Sequence, residues 1–306
     1  MKINKIIFTG YVLAFLITAS CTPQGEKYVE EGVKKAEQGD YEGAIKDYNQ
    51  AIKVDTFLMQ AYYNRAVSRQ HLKNIRGALK DYNKAIDLEP EFTLAYFNRG
   101  TLWDDYGNYF NAIKDYTKAI ELNPGMERAY YNRGNSLSNL KNFKKAVEDY
   151  TEAINLNPDF FEAWYNRGLA KCNLDQFREA IPDFDRAIAK NPTFREAYIN
   201  RAAANYRLGN LELALEDYSK TIAMDPENVT AYMNSGVIKI KLKDYPGAIS
   251  DLSRAIDLKP TDGSLFNNRA HARRESGNLK GACDDWNQAV RLGYTASKEN
   301  LKKYCK

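Results

Sequence analysis

The chain has 306 residues, of which 44% are hydrophobic and 27% charged, so it is neither a disordered tail nor a multi-span membrane protein. Its length suits one or two globular domains or one extended repeat array. Lys and Arg outnumber Asp and Glu by 44 to 40, and this small, scattered surplus lacks the concentrated basic face of nucleic-acid binders. We therefore expect no nucleic-acid partner.

Residues 1–20 are predicted to be a signal peptide. Two lysines precede an almost wholly apolar stretch, residues 6–17, which is too short to span a bilayer because a spanning helix needs about 20 residues. The segment TASC at residues 18–21 resembles the end of a bacterial lipoprotein signal, in which the cysteine is lipidated and becomes the mature N-terminus. Thr18 departs from that pattern, where a leucine-like residue is usual.

Two interpretations of Cys21 are open: lipidation, or ordinary cleavage near Ser20 that leaves a free thiol. We favour lipidation because a lone cysteine directly after an apolar signal stretch has little other purpose. Residues 21–24 would then be a lipidated tether. It would hold the folded part in the cell envelope of a bacterium, on the outer membrane or on a membrane that faces the periplasm.

Residues 25–296 consist of eight copies of one 34-residue unit. The string AYYNRA at residues 61–66 returns as AYFNRG at residues 95–100, and variants follow at the same step without an insertion. The repeats, numbered 1 to 8, are 25–58, 59–92, 93–126, 127–160, 161–194, 195–228, 229–262 and 263–296. Positions within a repeat are counted from its first residue.

Each repeat carries two helical patterns. Position 8 is always Gly or Ala and position 20 is always Ala, and apolar residues surround that alanine at helical spacing. A polar turn such as Gly107-Asn108 separates the two patterns, and a proline ends repeats 2 to 7. Every repeat is therefore predicted to be a pair of helices.

These recurring positions resemble those of the tetratricopeptide repeat (TPR) family over nearly the whole mature chain. The resemblance implies an all-α fold, a right-handed superhelical solenoid of eight helix-turn-helix repeats, with a concave groove lined by the first helices. One repeat cannot bury its own apolar face, so neighbouring repeats must stack. Residues 297–306 are predicted to form a C-terminal capping helix over the last repeat.

Positions 5, 9, 12 and 13 of each repeat are expected to face the groove. Four consecutive aromatic residues at position 5 form a stripe, Tyr63, Phe97, Tyr131 and Tyr165. Contact with a bound peptide and packing between helices are equally good interpretations of the stripe. Elsewhere the charge of the expected groove changes from negative at Asp104 and Asp105 to positive at Arg207, Lys241 and Arg274. These charges either steer a partner of complementary charge or are a solvated helix face.

Position 6 is Asn in repeats 2 to 8. In chaperone-binding relatives, asparagines join Lys and Arg to clamp a C-terminal carboxylate, and Asn135 and Asn166 match two parts of such a clamp. Tyr131, Glu196 and Asn200 stand where the cations of the clamp belong. We therefore expect no clamp, and expect the asparagines to hold neighbouring backbones together.

Position 7 is Arg in six repeats, and position 23 is Asp in all eight. One interpretation is a basic ladder for an anionic ligand. The other is that each Arg pairs with an Asp of an adjacent second helix and fixes the stacking. We favour the pairs, because both series keep the same period.

The cysteines beyond Cys21 are Cys172, Cys283 and Cys305. Cys283 takes a core position that is aliphatic in other repeats, and Cys305 lies on the apolar face of the predicted capping helix. If that helix runs antiparallel to the second helix of repeat 8, the two cysteines lie level, and an exported protein could form a disulfide there. The alternative is two reduced core cysteines. Cys172 has no obvious partner.

No catalytic motif is present. The sequence has no phosphate-binding Gly-rich loop, no HExxH and no GxSxG, and its cysteines and two histidines lack zinc spacing. We expect no enzyme, cofactor, metal or small-molecule substrate, but a membrane-anchored scaffold that binds a protein or peptide in the concave groove. The alternative is a glycan- or cell-wall-binding lipoprotein whose tyrosine stripe stacks on sugars.

Overall fold

The computed structural model describes residues 23–305, and this part of the chain forms 17 α-helices and no strand. Sixteen of the helices follow the predicted repeats in pairs, and one short helix comes last. The chain divides into two compact units between Asn157 and Pro158. Unit 1 contains the helices of repeats 1 to 4, and unit 2 contains the helices of repeats 5 to 8 and the last helix. The all-α repeat fold with a final helix is therefore confirmed.

The helices of unit 1 are α1 (Gln24–Glu37), α2 (Tyr41–Val54), α3 (Met59–His71), α4 (Ile75–Leu88), α5 (Thr93–Asp105), α6 (Tyr109–Leu122), α7 (Glu127–Asn139) and α8 (Phe143–Leu156). The helices of unit 2 are α9 (Phe161–Asn173), α10 (Phe177–Lys190), α11 (Arg195–Leu208), α12 (Leu211–Met224), α13 (Val229–Lys241), α14 (Tyr245–Leu258), α15 (Gly263–Glu275), α16 (Leu279–Arg291) and α17 (Ser297–Tyr304). Odd-numbered helices up to α15 are first helices, and even-numbered helices are second helices.

The turn inside each repeat depends on a left-handed residue at position 15. Gly107 adopts it with φ 73° and Lys141 with φ 60°. The next residue is often an asparagine or aspartate that caps the second helix. The Asn74 side chain, for example, accepts a hydrogen bond from the Gly77 N–H at 3.1 Å. The first helix therefore stops, and the second begins, within two or three residues.

Second helices of repeats 2 to 7 end two residues before the proline at position 32. The residue in front of the proline is extended, as at Asn123 with φ −140° and ψ 90°. Steric conflict with the proline ring disfavours helical backbone there. In repeat 1, Asp55 adopts the same conformation, φ −139° and ψ 109°, before Thr56. The extended residue is thus a property of the repeat, which proline reinforces.

The two helices of a repeat approach closely because small residues face large ones. A Cβ on Gly134 would lie 2.8 Å from Tyr150 Cε1, and one on Gly168 would lie 2.8 Å from Phe184 Cε1, so a side chain at either position would collide with the ring. The alanines at position 20 are fully buried in all repeats: Ala44, Ala78, Ala112, Ala146, Ala180, Ala214, Ala248 and Ala282. Each helix pair therefore encloses a ring or a leucine at position 24.

Each arginine at position 7 forms a two-bond ion pair with the aspartate at position 23 of its own repeat. In repeat 4, Arg133 Nη2 lies 2.7 Å from Asp149 Oδ1 and Nε lies 2.8 Å from Oδ2. The same pair occurs in repeats 2, 3, 5, 6 and 8, with Nη2–Oδ1 distances of 2.6–2.8 Å. The aspartates are almost completely buried. The arginines are therefore structural, and their partner lies on the second helix of the same repeat.

The third guanidinium nitrogen reaches the preceding repeat. Arg99 Nη1 donates to Asn83 Oδ1 at 2.6 Å, and Arg133 Nη1 donates to Thr117 Oγ1 at 3.0 Å. Each guanidinium also lies over an aromatic ring of its own helix, as Arg99 does over Tyr96 at 5.5 Å. One side chain thus joins three helices across a repeat boundary, which favours a single stacking register.

Helix α17 covers the end of repeat 8. Cys283 and Cys305 form a disulfide with a Cα–Cα distance of 5.7 Å. The fully buried Trp286 stacks on Tyr304 with ring centroids 5.7 Å apart. At the start of the helix, Ser297 Oγ donates to Asn267 Oδ1 at 2.8 Å. The cap is therefore fixed to repeat 8 at both of its ends.

The disulfide predicts a thiol count. Full-length protein purified without reductant and denatured should show the thiol of Cys172, and that of Cys21 where it is unmodified, while reduction should add two more. A bridge between cysteines 22 residues apart should stabilise the fold by about 3 kcal/mol, because it restricts the unfolded chain. Reduction should therefore lower the melting temperature, and a Cys172→Ser variant should show the same decrease. All thiols reacting without reductant would contradict the bridge.

The ion pair of repeat 4 predicts mutual rescue. Among the described residues, Asp149 has one cation within 4 Å, which is Arg133. Position 11, where some other repeats carry a second cation, is Leu137 in this repeat. Arg133→Asp and Asp149→Arg should each lower the free energy of unfolding by about 3 kcal/mol, because each leaves a nearly buried charge unpaired. The double reversal should recover at least about 1 kcal/mol of that loss in urea unfolding.

The control for this cycle is repeat 2, where Asp81 has a second cation. Arg65 and Arg69 lie 2.7 and 2.5 Å from its carboxylate. Arg65→Ala should therefore lower the free energy of unfolding clearly less than Arg133→Ala, because Arg69 still pairs with Asp81. Equal costs, or no recovery in the double reversal, would show that the pairs do not set the stability of the stack.

Candidate functional site

The predicted signal peptide and Cys21 lie outside the described residues, so lipidation stays a prediction. The described chain begins at Pro23, the N-cap of α1. Among residues 23–305, no helix combines the length and the apolar character that a membrane span requires.

The aromatic residues at position 5 pack inside the repeats of unit 1. Tyr63, Phe97 and Tyr131 are 0%, 5% and 4% exposed. Their ring centroids lie 5.8–6.1 Å from those of the tyrosines at position 24 of the same repeat. The packing interpretation is therefore favoured over partner contact for these three residues, because position 5 points into the space between the helices.

Tyr165 of unit 2 packs in a similar way but is only half-buried. Its ring centroid lies 6.0 Å from that of Phe184 and 4.7 Å from that of Phe194. Its hydroxyl accepts a hydrogen bond from Asn200 Nδ2 at 3.0 Å. Part of this ring is accessible, but its edge and hydroxyl already have protein partners.

The asparagines at position 6 hold the tyrosines of the preceding repeat. Asn98 Nδ2 donates to Tyr63 OH at 2.7 Å, as Asn200 does to Tyr165. The expectation that the asparagines hold neighbouring backbones is thus corrected for these two: their partner in the preceding repeat is a phenol, as it is for Asn234, which donates to Tyr218 OH at 3.0 Å. Asn64 has no such phenol to bind, because position 5 of repeat 1 is Val29. Neither the nitrogen nor the oxygen of the buried Asn64 amide has a hydrogen-bond partner among the described residues.

The predicted polar residues of unit 1 are tied to their neighbours. Ser136 Oγ donates to Asp104 Oδ1 at 2.5 Å, and Tyr150 OH donates to Asn135 Oδ1 at 2.8 Å. Asp104 and Asn135 are half-buried, whereas Asp105 is exposed. The acidic and amide groups on this face therefore contribute to contacts within and between repeats as well as to the surface.

Unit 2 differs, because two of its first helices carry an apolar stripe that ends in a cation. The α11 stripe is Ile199, Ala203 and Arg207, and the α13 stripe is Met233, Val237 and Lys241. Residues four apart lie on one face of a helix, so each set forms a continuous line. The apolar members are partly or fully exposed. The sequence analysis placed positions 5, 9 and 13 on the groove, but among these residues of α11 and α13 it selected only the cations as binding candidates.

The cations of unit 2 lie against aromatic rings. Arg207 lies over Phe177 at 4.5 Å, and Lys241 Nζ lies 5.3 Å from the Tyr206 ring centroid. The contact of Lys241 with Tyr206 brings the two stripes next to each other. Arg207 also pairs with Asp175 at 3.5 Å, but both side chains are exposed, so this bond is weak. Both cations are available to a carboxylate of a partner.

Arg274, the third predicted basic residue, belongs to the cap. Its guanidinium lies 4.7 Å from the Tyr304 ring centroid and pairs with Glu275. The structure therefore groups Arg207 and Lys241 with each other, and places Arg274 with the capping helix.

Other reactive groups of the described chain are few. Burial raises the pKa of the half-buried Cys172 thiol to about 11, so the thiol stays protonated near neutral pH. Within residues 23–305, no three His, Cys, Asp or Glu side chains are grouped so that they could hold a metal ion.

Comparisons with known proteins agree with this architecture. A tetratricopeptide repeat model matches residues 60–92, 127–160, 161–194 and 196–228. Related TPR models match residues 34–73, 93–126 and 229–262. The comparison with curated proteins found no match.

Several solved structures are similar. The crystal structure of YrrB, described as a TPR protein with an unusual peptide-binding site, is 27% identical with a TM-score of 0.57, covering 64% of this chain and all of YrrB. A crystal structure of MamA is 26% identical with a TM-score of 0.52, covering 55% of this chain and 92% of MamA. The C-terminal part of a TPR repeat-containing protein from Cytophaga hutchinsonii is 18% identical with a TM-score of 0.70, covering 78% of this chain and 98% of that part, which shows the fold alone.

Together the family models cover residues 34–262, and the matches from residue 60 onward follow the helix pairs of repeats 2 to 7. The chain belongs to the tetratricopeptide repeat family.

Proposed function

We propose that this chain is a non-catalytic scaffold, held at a bacterial membrane by a lipid on Cys21, which binds a partner polypeptide through the α11 and α13 stripes. Proteins of the TPR family generally act as scaffolds for protein interactions. The observation that carries the choice of surface is a line of apolar side chains, of which Ala203 is exposed and the others half-buried, that ends at two exposed cations. Such a surface suits an extended or helical segment with apolar side chains and nearby carboxylates.

The apolar part of the stripes supports affinity, and the cations support orientation. Covering exposed apolar side chains removes them from water, which is the main favourable term in most protein association. Charges at the edge of an interface mainly raise the association rate and exclude partners of the same charge. Arg207 and Lys241 also lie in the last turns of their helices, where cations are favourable.

The glycan-binding alternative has less support. Sugar stacking needs exposed ring faces, and Tyr63, Phe97 and Tyr131 are buried against other rings. Tyr165 alone of the stripe is partly accessible. The tyrosine stripe therefore gives little surface for a carbohydrate.

Reversal of the two cations should weaken partner binding. We would place a photo-crosslinking amino acid at Ala203 of the full-length chain in cells and add Arg207→Glu with Lys241→Glu. Crosslinks to a partner should fall roughly tenfold or more, because each carboxylate of the partner would then face a like charge.

A matched control comes from the second helices. Arg186 and Arg254 are exposed and occupy position 26 of repeats 5 and 7. Arg186→Glu with Arg254→Glu changes the net charge by the same amount and should leave the crosslinks intact. Equal loss in both double variants, or no loss in either, would contradict binding at the stripes.

The anchor has its own test. Cys21→Ser should move the protein from the membrane fraction to the soluble fraction, and the wild-type N-terminal peptide should carry the mass of the lipid. Two or more acyl chains hold a protein stably, since each buried CH₂ contributes about 0.8 kcal/mol. Cys172→Ser should remain in the membrane fraction. An unmodified Cys21 in membrane-bound protein would refute the anchor.

A further inference from the structure

Repeat 1 of unit 1 exposes apolar side chains at the end where its first helix begins. Phe57 is 77% exposed and Val54 is 54% exposed. At the position of Phe57, repeats 2 and 3 carry Glu91 and Gly125. The phenylalanine is thus a departure from the repeat pattern, and the stacking of helices does not use it.

The loop at residues 55–58 lies beside the start of α1. A Cβ on Gly25, the second residue of α1, would lie 3.5 Å from Leu58 Cδ2 and 3.7 Å from Asp55 Cβ. The loop is also held in shape, because the Phe57 N–H donates to Asp55 Oδ1 at 2.8 Å. The exposed ring therefore has a fixed place next to the point where the chain enters the folded part.

That entry point is close to the proposed anchor. Cys21 precedes Pro23 by two residues, and an extended chain covers at most about 3.6 Å per residue, so their Cα atoms lie within about 7 Å of each other. A lipid on Cys21 would therefore keep the start of α1 near the headgroups. This step rests on the proposed lipidation.

We propose that Phe57 of the loop at residues 55–58, together with Val54 at the end of α2, inserts into the surface of the bilayer that holds the lipid of Cys21. Phenylalanine and aliphatic side chains at the interface typically reach the boundary between headgroups and acyl chains. The exposed Lys53 and Asp55 beside them have opposite charges, so the apolar side chains carry the contact with the bilayer. The occupant of this apolar surface is the bilayer, and its contact fixes which end of the repeats faces the membrane.

Phe110 provides a matched control inside the same unit. It is 76% exposed and is the second residue of α6, beside the turn between α5 and α6. A helix of 13 or 14 residues is about 20 Å long. The end of a helix pair that carries the turn within the repeat is therefore about 20 Å from the end that carries the loop to the next repeat. An equally exposed phenylalanine thus lies at the end that should face water.

The test places a nitroxide label at either site. Full-length lipoprotein carrying Cys172→Ser, with Phe57→Cys or Phe110→Cys, is reconstituted in vesicles of phosphatidylethanolamine and phosphatidylglycerol. Collision rates of the label with oxygen and with a water-soluble nickel complex report its depth. With vesicles, the ratio of oxygen to nickel collision rates at residue 57 should be about threefold or more above its value in the same protein without vesicles or detergent. The reason is that side chains inserted at the interface reach about 5–10 Å into the bilayer. At residue 110 the ratio should not change.

Each other outcome overturns the inference. Equal, water-like ratios at both sites would show that the loop does not enter the bilayer. Protection of residue 57 that is already present without vesicles would show that a second copy or another protein covers it. The mass of the N-terminal peptide separates this failure from that of the anchor. A lipidated Cys21 with a water-like residue 57 refutes insertion alone, whereas an unlipidated Cys21 refutes the anchor and the insertion together.

Discussion

Contact between a large side chain and a small one inside each repeat sets the geometry on which the other contacts depend. Position 24 carries a tyrosine, phenylalanine, leucine or tryptophan, and position 8 of the same repeat is glycine or alanine. Because there is no room for a longer side chain at Gly134 against Tyr150, the two helices lie at one fixed separation. At that separation Arg133 and Asp149 form their two-bond ion pair.

The polar contacts between repeats follow from this spacing. The arginine of position 7 reaches the preceding second helix, and the asparagine of position 6 reaches the phenol of the preceding repeat. Repeats 1 and 7 lack the arginine and carry Glu31 and Ser235 there. In both repeats a lysine at position 11 replaces it, since Lys35 pairs with Asp47 and Lys239 pairs with Asp251, each at 2.6 Å. The half-buried Asp47 and Asp251 thus keep a cation even where the sequence pattern breaks, which agrees with the cost of leaving a largely desolvated charge unpaired.

The sequence was sufficient to predict the helix pairs, their order and the final helix, because these depend on periodicity, prolines and small residues that recur every 34 residues. It also indicated that arginine and aspartate pair, since their periods match. It could not decide the role of Tyr63, Phe97 and Tyr131. Position 5 lies at the edge between the inner face and the interhelical space, and helical periodicity does not resolve a side chain at such an edge. The sequence placed the α11 and α13 stripes at the groove-facing positions 5 and 9, but it could not show how much of each side chain stays accessible. Ala203 is exposed, whereas Ile199 and Met233 are half-buried because they also pack against core clusters.

The difference between recurring and non-recurring residues separates structure from function in such a chain. Residues that build the stack must recur, because every repeat solves the same packing problem with the same geometry. Asn98 and Arg99 recur, and both have partners inside the fold. Phe57, Arg207 and Lys241 do not follow from the repeat, and the fold leaves them exposed or in weak contacts. Exposure alone does not mark a function, because Phe110 is as exposed as Phe57; what distinguishes Phe57 is its place beside the chain entry, next to the proposed anchor. The same reasoning applies to the cations that end the two stripes, and it locates candidate contacts with a membrane in unit 1 and with a partner in unit 2.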